Sequence, residues 1–407
     1  MKGIYSGLFI TALGTLMYEI LLTRIFSVTM WYHYAFMAIS IALFGMAVGA
    51  AIVYLFLKFF AVEHVQKRLS FFSLGFAVSI VASFLIYISI PLSLLDELGT
   101  LKGFLLLAVI YLTISIPFIW SGVVISLALT KFPKRVGSLY AADLVGAALG
   151  CILLIALLSV VTGPTAVIAI AGMVALASIA FASNLKNKLT YIAIVFALIS
   201  FVFVGVNTML SNDQNPLLTL KYVKGGIESG TIYEKWNSFS RITIWGNEEE
   251  KTQAFGWGLS EVLERGDTVN QLWLFIDATA GTPLTKFTGD LSEIEFLKYD
   301  IVNLAHYLRS KADVFVVGVG GGRDILSALA FEQSSITGLE VNGTILEASL
   351  ERYGDFTGHI DELPNVTLVT DEARSYIART DEKFDIIQIS LIDTWAATAA
   401  GAFVLTE

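Results

Sequence analysis

Three glycines, Gly318, Gly320 and Gly322, separate the apolar run Val314-Phe-Val-Val317 from Arg323-Asp324 and the helical pattern that follows. Without a Cβ, each lets the chain turn sharply from strand into helix, and together they leave bare backbone on which a ligand can lie. Glu340 closes the next apolar run, Ile336-Thr-Gly-Leu-Glu340, 22 residues after Gly318. An acid at that strand tip can accept hydrogen bonds from both hydroxyls of a ribose. Asp371 follows a third run, Val366-Thr-Leu-Val369, and can reach an adenine or its ribose from the far side. A fourth run, Phe384-Asp-Ile-Ile-Gln-Ile389, leads into Ser390-Leu-Ile-Asp393. Glycines at one crossover and acids at two strand tips describe a crevice for a nucleotide-like ligand. The competing reading is that the glycines only make a tight turn and the acids cap helices.

The elements that must hold these residues alternate strand and helix, which specifies a parallel sheet. Residues 291–407 therefore read as an α/β Rossmann-like nucleotide-binding domain, with helices at 293–309 and 344–353. Before it, alternating runs such as Arg241-Ile-Thr-Ile-Trp245 and Gln271-Leu-Trp-Leu-Phe-Ile-Asp277, with breaks at Gly256-Trp-Gly258 and Gly281, read as a small β subdomain over 230–290. No glycine follows Gly322 at the spacing a dinucleotide fingerprint needs, so S-adenosylmethionine or a relative fits the turn better.

The rest of the chain belongs to a different solvent. Hydrophobic residues make up 56% of the 407 and charged ones 15%, against about 45–50% and about 25% in soluble domains. Residues 1–210 carry 11 Lys/Arg against 5 Asp/Glu, and the remainder 15 against 30. An acidic second half argues against nucleic acid as a partner, since phosphate binding needs a positive surface. One cysteine, Cys151, and four scattered histidines offer no metal-ligand spacing, so no metal is expected. Seven stretches, at 3–28, 34–57, 71–94, 104–129, 139–161, 166–182 and 189–210, reach the roughly 20 apolar residues a membrane crossing takes. Residues 1–210 are thus a bundle of about seven transmembrane helices and 211–229 a linker. Its partner is the lipid bilayer.

Three ionisable residues fall inside those spans: Glu19, Arg24 and Asp143. Charge at membrane depth is costly and usually faces the bundle interior. They form either a polar site for an ion or solute, or interhelical clamps, with Arg24 also able to snorkel to the interface. Gly146-Ala-Ala-Leu-Gly150 is a small-xxx-small motif suited to close helix packing. Lys58, Lys67, Arg68, Lys131, Lys134, Arg135, Lys186 and Lys188 all fall in loops on the N-terminal side, and Lys102 alone on the other. The positive-inside rule puts the N-terminus in the cytoplasm. Seven crossings then deliver the C-terminal domain to the opposite side, whereas an adenosyl sulfonium made in the cytoplasm requires that domain to be cytoplasmic.

From about residue 230 the chain resembles the spermidine/spermine synthase (aminopropyltransferase) family, which implies for 291–407 an α/β Rossmann-like fold of the S-adenosylmethionine-dependent methyltransferase type. Ser238-Phe-Ser-Arg-Ile242 resembles its first strand motif, Leu274-Phe-Ile-Asp277 its second, and Tyr299-Asp300 its Tyr-His-Glu helix start. Trp31-Tyr-His-Tyr-Ala-Phe36, Tyr140-Ala-Ala-Asp-Leu144 and Asp393-Thr-Trp-Ala-Ala-Thr398 resemble a bacterial group in which multi-pass helices are fused to such a domain, which implies a bacterial inner membrane as its place. The resemblance implies S-adenosylmethionine or decarboxylated S-adenosylmethionine as co-substrate and a domain that continues past Glu407. It also marks two departures. The family's glycine turn carries an Asp where this chain has Gly321, and its fourth strand ends in Asp-x-x-Asp where this chain has Ser390 and Asp393. A serine hydroxyl is a poor base unaided.

Two functions follow as expectations. One is a membrane-anchored transferase in which Gly318, Gly320, Gly322, Glu340 and Asp371 hold the co-substrate. Asp393, with Ser390, faces a small-molecule acceptor such as a polyamine. The other is a non-catalytic adenosyl-ligand sensor or scaffold controlling a polar-solute pathway lined by Glu19 and Asp143.

Overall fold

Apolar runs of this length satisfy their backbone polar groups only by closing helical hydrogen bonds, and each stretch becomes one helix. They are α1 (Lys2–Thr29), α2 (Ala35–Leu55), α3 (Val65–Ser89), α4 (Leu101–Lys131), α5 (Val136–Leu158), α6 (Gly163–Phe181) and α7 (Lys188–Asn212). All seven are long and apolar enough to cross a membrane. The computed structural model describes residues 1–30, 34–91, 100–182, 188–212, 214–263 and 268–391. Two compact units divide them, the first Met1–Ser229 with Trp236–Ser238, the second the remainder.

Within the first unit the packing partners fix each helix's direction. A Cβ on Gly146 would lie 2.3 Å from the Phe9 carbonyl oxygen and one on Gly150 2.7 Å from that of Leu13, so α5 runs parallel to α1. This is the close approach expected of the small-xxx-small motif. Gly45 and Gly49 meet Phe118 and Ile119 in rising order, which makes α2 and α4 parallel, whereas Gly7 meets Phe181 and Gly14 meets Val174, which makes α6 antiparallel to α1. Gly172 against Ser200 and Asn207 against Thr165 set α7 antiparallel to α6. The C-terminus of α7 therefore lies at the end of the bundle opposite Met1. The segment read as a linker holds a small hairpin, β1 (Tyr222–Val223) with β2 (Gly226–Ile227). Lys224 N–H bonds the last carbonyl of α1, that of Thr29.

The second unit begins with β3 (Thr231–Trp236), β4 (Arg241–Trp245), β5 (Lys251–Gln253), β6 (Thr268–Ile276) and β7 (Ala280–Thr285). These form one sheet in which β6 pairs antiparallel with β4, β5 and β7. The helix expected at 293–309 is instead broken. A 3-10 helix, Leu291–Tyr299, stops at Asp300, a 3-10 turn follows at Ile301–Asn303, and only Leu304–Leu308 (α8) is α-helical. Asp300 is extended because its carboxylate is claimed elsewhere, accepting from the backbone N–H groups of Gly258 and Val302 and pairing with Arg323.

The parallel sheet then follows: β8 (Asp313–Val317), α9 (Arg323–Ala330), β9 (Ser335–Glu340), α10 (Gly343–Leu346), α11 (Gly354–Thr357), β10 (Val366–Thr370), α12 (Ala373–Arg379) and β11 (Ile386–Ile389). The helix expected at 344–353 is α10 widened into a π turn over Glu347–Arg352. Strand order is β10-β9-β8-β11, every pair parallel. The central strand is buried on both faces. Val314 and Val316 join the core under α9, while Phe315 and Val317 join a smaller one with Leu339. Connections lead one way from β8 to β9 and the other way to β11, so a crevice opens at their C-terminal ends, where ligands of open α/β sheets bind.

Candidate functional site

Backbone conformation shows the sharp turn that the three glycines make. Gly318, Gly320 and Gly322 have φ of +81°, +53° and +83°, a region that costs any residue with a Cβ. The turn they make carries the chain from β8 to the first residue of α9. Glu340, at the tip of β9, is drawn into it. One carboxylate oxygen accepts from Gly320 N–H at 3.0 Å and the other from Asn342 N–H at 3.0 Å. Burial pushes its pKa up, and those backbone donors pull against the rise. Each carboxylate oxygen has two lone pairs, and with Val341 N–H also bearing on the group acceptor capacity still remains for a ribose hydroxyl.

Asp371 sits one strand further along, its N–H on the Glu340 carbonyl. Its side chain turns toward α12, where it pairs with Arg379 and caps Glu372 N–H at 2.8 Å. This pair is part-exposed, a type worth at most about 1 kcal/mol, so a ligand can compete for it. Ser390 follows β11, half-buried, and Asp393 lies outside the described residues. The family-like motifs lie together: Ile242 pairs with Ile276 across β4 and β6, Asp277 accepts from Arg241 N–H at 2.9 Å, and Asn342 donates to Ser240 at 3.0 Å.

Gly321 has a physical explanation. A Cβ there would lie 2.3 Å from the Pro283 carbonyl oxygen of β7, and its N–H meets Thr282 Oγ1 at 3.3 Å. An aspartate cannot stand at this point of the turn while β7 occupies it. Gly321→Asp is expected to lower stability by about 1–3 kcal/mol, as overpacking does, and to leave ligand binding no better. Thermal melts alongside calorimetry check this, and a stable variant with tighter binding would refute the explanation.

Sequence reading assigned no role to a second set of residues beside the turn. Arg323 and Asp300, both buried, form an ion pair whose other guanidinium nitrogens, Nε and Nη1, find no partner among the described residues. Asp324 is also buried. Burial pushes its pKa up to about 6, with Ser390 and Arg323 drawing it down and Asp300 adding to the rise. An acid in the first helical turn reads from sequence as a helix-dipole partner.

The membrane residues do not converge. By the pairing of α5 with α1, Asp143 stands near Tyr5 and Phe9, and Glu19 lies more than two helical turns further along α1. Asp143 Oδ1 is buried and has no hydrogen-bond partner among the described residues. Arg24 donates from Nη2 to the Ser238 carbonyl at 2.5 Å, a backbone contact near the helix end. Among the described residues no cluster of His, Cys, Asp and Glu could hold a metal ion.

No family model matches the chain, and no curated protein matches it. Among solved structures, spermidine synthase in complex with the transition-state analogue AdoDATO is similar at a TM-score of 0.27 and 19% identity, over 39% of this chain and 45% of that one. The match spans less than half of that protein's length, and a likeness of this degree carries no weight beside the geometry.

Proposed function

We propose that the second unit binds S-adenosylmethionine or its decarboxylated form and that the chain is a membrane-held transferase. It would pass a methyl or aminopropyl group to a small-molecule acceptor such as a polyamine. The observation that supports this is Glu340, a buried carboxylate locked to the glycine turn at the rim where the sheet's connections reverse. Gly318, Gly320 and Gly322 let the ligand approach backbone, Glu340 takes the ribose hydroxyls, and Asp371 serves the adenine side once Arg379 yields. Ser390, with Asp393, faces the acceptor. The sulfonium supplies an activated carbon, so positioning provides most of the rate. The test is calorimetry on the full-length protein with S-adenosylhomocysteine and methylthioadenosine as probes. Micromolar binding of the first is expected, and no binding of either at millimolar concentration removes the proposal.

A second reading, a non-catalytic adenosyl-ligand sensor or scaffold, is favoured by one observation. The end of α7 lies opposite the loops that hold Lys58, Lys67, Arg68, Lys131, Lys134 and Arg135, which the positive-inside rule assigns to the cytoplasm. The separation of Glu19 from Asp143 gives that reading no solute pathway. The transferase reading requires a reporter fused after Glu407 to be active in the cytoplasm. Activity only outside it moves the chain to the second reading.

A further inference from the structure

Residues 301–308 are polar on the inside and apolar on the outside, the reverse of an ordinary surface helix. Asn303 and His306 are buried. Asn303 Nδ2 donates to the Leu297 carbonyl at 2.7 Å and to Ser327 Oγ at 3.0 Å, and its Oδ1 accepts from Gln388 Nε2 at 3.2 Å. His306 Nε2 donates to Gln388 Oε1 at 2.8 Å, and its Nδ1 accepts from Gln333 Nε2 at 3.1 Å. Turning the segment over would strand all of those groups, so the polar face stays in. The outer face is left to Ile301, Leu304, Tyr307 and Leu308, which are 53–76% exposed. At about 100° per residue the four fall on one side of a helical turn, opposite Asn303 and His306. Tyr307 is fixed there, its hydroxyl donating to the Lys298 carbonyl at 2.9 Å and its ring edge-on to Phe331 at 4.7 Å.

The neighbouring loop adds Trp257, 45% exposed. Gly258, the next residue, accepts Ile301 N–H on its carbonyl at 3.2 Å and leaves no room for a side chain between itself and Ile301. Single exposed apolar side chains need no explanation, but a contiguous set marks an interaction surface. Trp and Tyr beside Ile and Leu is the composition of a membrane–water interface. Arg309 and Lys311, both exposed, follow Leu308 at once, as cations flank an interfacial anchor that meets anionic lipid. Lys311 shares an exposed pair with Glu332 at 3.4 Å, a kind worth little in water, and Arg309 has no ion-pair partner among the described residues.

A bilayer is also within constant reach. Within the first unit, Lys224 N–H is bonded to the last carbonyl of α1, and a Cβ on Gly163, at the start of α6, would lie 2.8 Å from the Trp236 ring. Ser238 accepts from Arg24 near the end of α1. The chain of the second unit therefore leaves and re-enters at the end of the bundle where α1 closes, and it cannot diffuse away from the lipid around those helices.

We propose that Ile301, Leu304, Tyr307 and Leu308, with Trp257, rest in the headgroup layer of the bilayer that the chain's own helices cross. This requires the membrane reading of the seven helices and is independent of the adenosyl ligand. The test uses the full-length protein in nanodiscs of phosphatidylcholine and phosphatidylglycerol, with Cys151→Ser and with Leu308→Cys carrying an environment-sensitive fluorophore. In discs whose acyl chains are brominated, the label is expected to lose most of the emission it shows in plain discs, because bromine quenches only at close range. Adding Ile301→Asp and Leu304→Asp, each lost contact worth about tenfold in partition, should restore that emission. Both side chains are exposed, so the melting temperature should hold. A label as bright in brominated as in plain discs overturns the proposal. So does one shielded from water yet unquenched, which would give the patch to a second copy or to residues 392–407. Protein that stays in the aqueous phase and never enters discs removes the membrane reading as well.

Discussion

Glu340→Ala is expected to weaken S-adenosylhomocysteine binding by about 100-fold or more, each charged hydrogen bond to a ribose hydroxyl being worth about 1.5–3 kcal/mol and each 1.4 kcal/mol a factor of ten. The same carboxylate accepts Gly320 N–H and Asn342 N–H. Its loss leaves two buried donors without partners, at about 1–3 kcal/mol each. Affinity and stability must therefore be read together. Glu340→Gln separates them, since its amide oxygen can still accept one backbone N–H while its NH2 group cannot accept a ribose hydroxyl. We expect Gln to recover much of the melting temperature and little of the affinity. A Glu340→Ala protein that melts early yet binds the probe as tightly as before would reduce Glu340 to a cap on the turn.

The second large effect is on the fold. Asp300→Ala should destabilise the second unit by about 3–5 kcal/mol, the cost of breaking a buried ion pair and stranding its partner. Arg323 and Asp300 are almost wholly inaccessible, at 5% and 0% side-chain exposure. Asp300 also accepts from Gly258 at 3.1 Å and Val302 at 3.2 Å, so the loop after β5 and the break before α8 lose their common anchor. A domain holds only about 5–15 kcal/mol in total, and unfolding near physiological temperature follows. Replacing both partners by apolar residues, Asp300→Leu with Arg323→Met, should recover most of the loss, because no buried charge is then left unpaired. Hydrogen exchange at Gly258 and Val302 reads the anchor directly. Slow exchange there in Asp300→Ala would show that the pair does not hold the loop.

Periodicity and composition were enough to read the two halves of this chain. Uncharged runs such as 71–94 admit only a helix in hydrocarbon, and four short apolar runs broken by Gly318–Gly322, Glu340 and Asp371 admit only a parallel sheet with its loops on one rim. Gly320 and Glu340 could be paired from sequence because the strand-turn-helix geometry that brings them together is local and repetitive. Gly146 and Gly150 could be read as a packing face for the same reason.

Tertiary structure decided what depends on side chains meeting from distant positions. Residues 293–309 carry a helical pattern, yet Asp300 breaks it because Arg323 and Gly258 compete for its carboxylate, and propensity has no term for a partner 23 residues away. Gly321 looked like a lost acid until β7 was seen to stand where a side chain would go. Asp324 carried no role in the sequence until the fold buried it beside the Arg323–Asp300 pair. Glu19 and Asp143 read from sequence as able to line one polar pathway, yet the pairing of α1 with α5 sets them more than two helical turns apart, a spacing between helices that no local pattern carries. Sequence dictates periodicity, whose cause is local, and the fold alone dictates which buried charge meets which, since that depends on how elements far apart in the chain close on one another.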